Sequence, residues 1–172
     1  TLASLSEEEA LGFGVSADNP TAIQGAEIIV LAVLPQQIKK VMEDIAPTVQ
    51  PNQIIVSVAS GVSCQDVKEI LGQDKIVVRA MPNTAIAIGQ SMTCIATQNA
   101  STEAVGIVEK LFEAVGSVVV IEEDLMTSAT ALCACGIAFF LRAIRAASQG
   151  GVEIGFHAHD ALKMAIQTAK GA

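Results

Sequence analysis

Short runs of β-branched and aliphatic residues recur along the chain with helical patterns between them, and this alternation restricts the fold more than any other feature. The runs are Glu27–Val33, Gln53–Val58, Lys75–Arg79, Met92–Thr97 and Val118–Ile121. Each is too short for a stable helix and too uniformly apolar for a strand with one wet face, so the pattern predicts strands of a largely parallel sheet covered on both sides. The intervening helices carry their own signals. Pro35 suits a first helical turn ahead of Gln37–Ile45, Ser63 is an N-cap for Gln65–Leu71 with Gly72 closing it, and Ser101 caps a helix reaching Val115. Upstream, Thr1–Ala10 reads as the end of a helix, with Ser6 and Glu9 at capping-box spacing and Gly12-Phe13-Gly14 as its stop. Gly14–Ala17 then reads as a short strand, broken by Asp18-Asn19-Pro20 before a helical turn over Thr21–Gln24.

The alternation stops at Glu122. Beyond it Leu125, Ala129, Leu132, Gly136, Phe139 or Phe140, Ala143 and Ala147 recur three or four apart, a helix whose first charge after Asp124 is Arg142. Such a helix needs cover on most sides, and we expect burial against another chain. The uncharged stretch ending at Leu141 falls short of a bilayer span and reads as a buried helix, with Gly150-Gly151 ending it and a further helix from His159 to Lys170. The fold class is therefore α/β, a sheet domain over residues 1–121 followed by an all-helical domain over residues 122–172.

Charge and composition exclude some functions. Eighteen acidic against ten basic residues give a net charge of −8, which argues against nucleic acid as a partner. Only 16% of residues are charged while 51% are hydrophobic, so self-association is expected. The four cysteines are scattered and no secretory leader stands at the front, which fits a reducing cytoplasmic setting and no membrane partner.

An open parallel sheet places ligands beyond the carboxyl ends of its strands, here Ala32-Val33-Leu34-Pro35, Ala59-Ser60-Gly61 and Met81–Thr84. These are small and uncharged, suited to close approach of a planar cofactor or simply to tight strand-helix packing. Asn83 offers a donor and an acceptor at a strand end, for a carboxamide or for its own turn. The glycine-rich dinucleotide fingerprint is absent, since Gly12-Phe13-Gly14 precedes a strand. Cys133 and Cys135 read as metal-free packing residues, because side chains two apart on a helix diverge. His157-Ala158-His159-Asp160 reads as a turn entering a helix. The Glu122-Glu123-Asp124 triplet suits a helix N-terminus or, at the junction of two domains, a cationic group.

Taken in order, Ala32–Pro35, Ser57–Val62, Arg79–Thr84 with Gly89, Glu122–Leu125 and Thr130–Gly136 resemble pyrroline-5-carboxylate reductase across essentially the whole chain. The resemblance implies a partial Rossmann domain binding NADPH or NADH and a partial helical dimerisation and substrate domain. It further implies that the phosphate loop and the late substrate loop lie outside these residues, leaving the literal fragment nearly inactive. By family pattern Asn19 lies near the adenosine ribose, Ala32, Val33, Leu34 and Pro35 along the nucleotide, and Ala59, Ser60 and Gly61 behind the nicotinamide with Asn83 close by. Glu123 lies near the ring nitrogen of the cyclic imino-acid substrate, and no catalytic residue or metal ligand is assigned. The implied reaction is hydride transfer to the imine carbon, giving L-proline, in a homodimer or a higher oligomer built from dimers. Leu34 stands where the family usually has lysine, and Cys133-Ala134-Cys135-Gly136-Ile137 replaces a serine, glycine and proline run. Two other functions compete: a two-domain dehydrogenase of small hydroxy acids, which needs a lysine or histidine near the cleft, and an inactive binding or assembly fragment.

Overall fold

The structure is a computed structural model that describes residues 11–172, so the helix end expected over Thr1–Ala10 lies outside the described residues. Five strands form one sheet in sequential order: β1 (Ile28–Leu31), β2 (Ile54–Ser57), β3 (Ile76–Met81), β4 (Ser91–Ala96) and β5 (Gly116–Val120). Every neighbouring pair is parallel except β3 and β4. Parallel pairing needs a long crossover, and the nine residues from Pro82 to Gln90 hold only a 3₁₀ turn over Thr84–Ile88, so the chain returns antiparallel. Gly116 lets β5 begin hard against β4, where a Cβ would lie 2.1 Å from the Ser91 carbonyl oxygen.

Helices cover both faces, as the uniformly apolar strands require. On one face α2 (Pro35–Ile45) and α3 (Cys64–Leu71) bury Ile38, Met42, Ile45 and Val67 against Ile29, Leu31, Ile55 and Val77. On the other, α4 (Thr102–Glu113) lays Ala104, Val108 and Phe112 on Ile54, Val56, Val78, Ala80 and Ile95. Local chemistry sets the helix starts. Ser63 and Asp66 form a reciprocal capping box on α3, and the Ser101 hydroxyl accepts the Ala104 N–H on α4.

Two expectations near the front change. Gly14–Ala17 forms no strand and has no ladder partner among the described residues. The helical turn expected over Thr21–Gln24 starts two residues earlier, as α1 (Asn19–Ala22), because Asp18 caps the Thr21 N–H and proline is tolerated in a first turn.

After β5 the chain winds continuously from Glu123 to Glu153: a 3₁₀ turn (Glu123–Leu125), α5 (Met126–Ala129), a π turn (Thr130–Ala134) and α6 (Gly136–Glu153). Gly150-Gly151 does not end it. Instead Gly151 lets α7 (Ala158–Gly171) approach, since a Cβ there would sit 2.9 Å from the Ala161 Cβ. By length and composition this 31-residue run is apolar enough to cross a membrane, against the shorter span expected from the uncharged stretch alone. Within the chain it is mostly uncovered: Gly136 is the buried residue of α6, while Leu132, Phe139, Phe140 and Leu141 are exposed.

Candidate active site

Because β1, β2 and β3 are parallel, their carboxyl ends share one edge of the sheet, and three of the expected segments meet there. Leu34 is the exposed N-cap of α2, with its carbonyl taking the Gln37 N–H at 2.8 Å, and Pro35 opens the helix. The N-terminus of this eleven-residue helix therefore faces the edge. Next to it, Val58 N–H donates to the Leu31 carbonyl at 3.3 Å, tying the two loops together. Ala59 is buried, while Ser60 and Gly61 are exposed, and Gly61 holds a left-handed φ of 76° with open space where a side chain would be.

Asn83 stands at the end of β3 with both polar groups engaged. Its Oδ1 accepts the Ala85 N–H at 3.1 Å and its Nδ2 donates to the Cys133 carbonyl, also at 3.1 Å. Ser91 Oγ accepts its backbone N–H at 3.2 Å.

Of the other two expected site residues, Asn19 is held away from this edge and Glu123 lies beside the end of β2. Asn19 donates from Nδ2 to Asp44 at 2.9 Å and lines a groove along α2 with Gln36, Gln37 and Lys40. Asp44 is nine residues past Pro35, roughly 13 Å along the helix from the strand ends. Glu123 Oε1 accepts the Cys64 N–H at 2.7 Å and pairs with Arg79 Nη1 at 3.1 Å. Both charged side chains are largely buried, and Arg79 is in register with Ser57, the last residue of β2. Burial alone would raise the Glu123 carboxyl, but the Cys64 N–H and the Arg79 guanidinium outweigh it and hold it below the usual carboxylate range. The carboxylate thus caps α3 and ties it to the start of the long helical run.

Sequence reasoning missed three features. Arg79 was legible only as part of a motif, and its pairing with Glu123 depends on the chain that leaves β5 turning back beside β3. Ser57 Oγ, at the carboxyl end of β2, is the buried side-chain oxygen without a hydrogen-bond partner among the described residues. A serine at an inward position of an otherwise aliphatic strand was the available signal. Cys133 reaches Cys94 at 3.9 Å between sulfurs, whereas Cys135 is exposed in this chain and does not fill a seam within it. Burial, then Cys133, pushes the Cys94 thiol up to about 11, and burial with Glu123 pushes Cys64 up to about 12, so both are held protonated.

Comparison with known proteins agrees with this geometry. Residues 123–172 match the pyrroline-5-carboxylate reductase dimerisation family model, and residues 2–61 match the model described as NADP oxidoreductase coenzyme F420-dependent. Two Dictyostelium discoideum relatives are similar over nearly the whole chain. Pyrroline-5-carboxylate reductase 1 is 46% identical over 94% of this chain and 31% of its own length. Pyrroline-5-carboxylate reductase 2 is 43% identical over 98% of this chain and 60% of its own length. The crystal structure of Plasmodium falciparum pyrroline carboxylate reductase with NADP bound superposes with a TM-score of 0.84 at 26% identity, covering 91% of this chain and 60% of that one. The chain spans between about a third and three fifths of the length of these relatives, and over more than nine tenths of its own length it is similar to pyrroline-5-carboxylate reductases.

Proposed function

We propose that the protein containing these residues reduces pyrroline-5-carboxylate to L-proline with NADPH or NADH, the last step of proline biosynthesis. The observation that carries this is the match of over nine tenths of the chain to reductases of that name at 46% and 43% identity. The residues at the sheet edge fit a nicotinamide cofactor. The unpartnered Ser57 Oγ, the open space over Gly61 and the free N-terminus of α2 give small, uncharged walls and polar groups with capacity to bond. When bound, that cofactor supplies the hydride. The chain's own share is to hold Ala32–Pro35 and Ala59–Gly61 as a rigid floor, exclude water with α5 and the π turn, and orient the imine carbon.

Leu34 is exposed at the mouth and brings no cation to a cofactor phosphate, so either nicotinamide dinucleotide remains within the proposal. Glu123 bonds both the Cys64 N–H and Arg79 through Oε1, which makes its first role the link between α3 and the long helical run. The hydroxy-acid reading lacks its base at the edge: Lys39 and Lys40 lie on α2 beyond its first turn, and His157 and His159 lie at the start of α7.

We further assign the exposed apolar faces of α6 and α7 to a homodimer or an oligomer of dimers, not to a membrane. The dimerisation family model over residues 123–172 supports this, as do Arg142 and Arg145 within the run. The free state of the described cysteines supports a reducing, cytoplasmic setting, and the net charge of −8 supports the absence of nucleic acid. The test is oxidation of NADPH or NADH by the complete protein on adding the cyclic imine, set beside a panel of small hydroxy acids with the oxidised cofactors. Imine-dependent turnover is expected. Failure to bind either reduced cofactor by calorimetry would end the proposal.

A further inference from the structure

We infer that Asn83 is a positioning residue that fixes the angle at which the long helical run leaves the sheet, and does not hold a cofactor carboxamide itself. Its two polar groups are spent inside the chain: Oδ1 on the Ala85 N–H, which starts the 3₁₀ turn after β3, and Nδ2 on the Cys133 carbonyl in the π turn. A π turn is a place where helices kink. The Asn83 amide grips it there.

The place of this grip in the fold gives it consequence. From Glu123 to Cys133 the run is fastened to the sheet, by Arg79 and the Cys64 N–H at one end, by Met126 packed on Met81, Cys94 and Ala96 in the middle, and by Asn83 with Cys94 at the other. From Gly136 onward α6 projects free of it, and its apolar residues are exposed. The last fastening therefore sets the direction in which the α6–α7 unit leaves the sheet. Through Asn83 the Thr130–Ala134 turn is bonded to the segment that leaves the carboxyl end of β3, so a shift of the π turn alters the wall above bound substrate while leaving Ala32–Pro35 and Ala59–Gly61 in place.

The inference rests on the proposed reductase activity for its kinetic consequence but not for its structural one, and the experiment separates the two. In the complete protein, Asn83→Asp keeps the acceptor for Ala85 and removes the donor to Cys133. Asn83→Ser keeps a capping hydroxyl too short to reach Cys133, and stands in if the Asp variant does not fold. Hydrogen exchange at amides 130–138 should rise by about tenfold with the amides of β1 and β2 unchanged. Steady-state kinetics should show kcat for imine reduction lowered by about tenfold or more, with NADPH and NADH dissociation constants within about threefold of wild type. Unchanged exchange at 130–138 overturns the inference, whatever the activity. So does a cofactor dissociation constant raised about tenfold with kcat intact, the signature of direct carboxamide contact. A wild-type protein that does not turn over the imine defeats the reductase proposal instead, and the exchange measurement still decides the grip.

Discussion

The sheet and the α6–α7 pair are written in the same aliphatic vocabulary and end in opposite states. Ile55, Val56, Val78 and Ile95 are completely covered between helices, whereas Phe139 and Phe140 remain 67% and 73% exposed. The difference teaches that apolar periodicity reports a need for cover and is silent about its source. Strands find cover within the chain because each crossover helix folds back on its own sheet. Helices α6 and α7 have only each other, and two helices packed side by side cannot bury both faces of either. Their groove, lined by Phe140, Ile144, Phe156 and Met164, is continuous with residues matched by the dimerisation family model.

The comparison is broken most severely from the sheet side. Ile55→Ala removes a fully buried side chain from the middle of the sheet and should lower folding stability by about 2–5 kcal/mol, measured by urea denaturation. Phe140→Ala, a larger truncation, should change the stability of the isolated subunit by less than about 0.5 kcal/mol, since it is already solvated there. Equal losses at the two sites in subunits kept dissociated would erase the distinction.

From the helical side, Phe140→Asp places a charge in the apolar groove. Its expected effect is on association: a self-dissociation constant raised about 100-fold or more, equivalent to about 2.7 kcal/mol, by sedimentation of the complete protein. A wild-type protein that sediments as a monomer at micromolar concentration would refute the cover we assign. Gly151→Ala is smaller in effect. The new methyl meets Ala161 at 2.9 Å and forces α6 from α7, costing about 1–3 kcal/mol of overpacking, while better helix propensity returns roughly 0.5–1. A net loss near 1 kcal/mol by thermal denaturation is expected, and a gain would mean that the helices part freely.

What the sequence disclosed follows the range of the interaction involved. The five strands and the caps at Ser63 and Ser101 were legible because period and capping chemistry act within a few residues. Asn83 and the strand-end segments were legible as a place, since a parallel sheet fixes which ends share an edge. Gly150-Gly151 misled because glycine signals both a helix stop and a close approach, and only the position of Ala161 decides between them. The partner of Glu123 was hidden for a related reason. An acidic residue at a domain junction suggests a ligand, but β5 carries it to Arg79, a partner 44 residues away in sequence.

Glu123 also gives the smallest and most discriminating test of how sheet and helical run are joined. Glu123→Gln keeps an acceptor for the Cys64 N–H and removes the charge that faces Arg79. Charge-assisted hydrogen bonds are about twice as strong as neutral ones, so the exchange should cost about 1 kcal/mol at pH 7. The sign of its pH dependence follows from the lowered carboxyl. Unfolded chains take up the proton first, so the carboxylate's contribution is fully present above the ordinary value of 4.5 and is lost as pH falls through the lower folded value. The stability gap between wild type and Glu123→Gln should therefore hold constant from pH 8 to about 5 and close in more acidic solution, a course that denaturation at each pH would follow. If instead the carboxylate is reserved for a cationic substrate, stability at pH 7 stays at the wild-type level while kcat/KM falls about tenfold, or about 1.4 kcal/mol, with cofactor affinity intact. The Arg79 pair favours the first outcome, because the Cys64 N–H and the buried Arg79 guanidinium both bond the carboxylate in the resting chain, and a neutral amide leaves that guanidinium without its counter-ion.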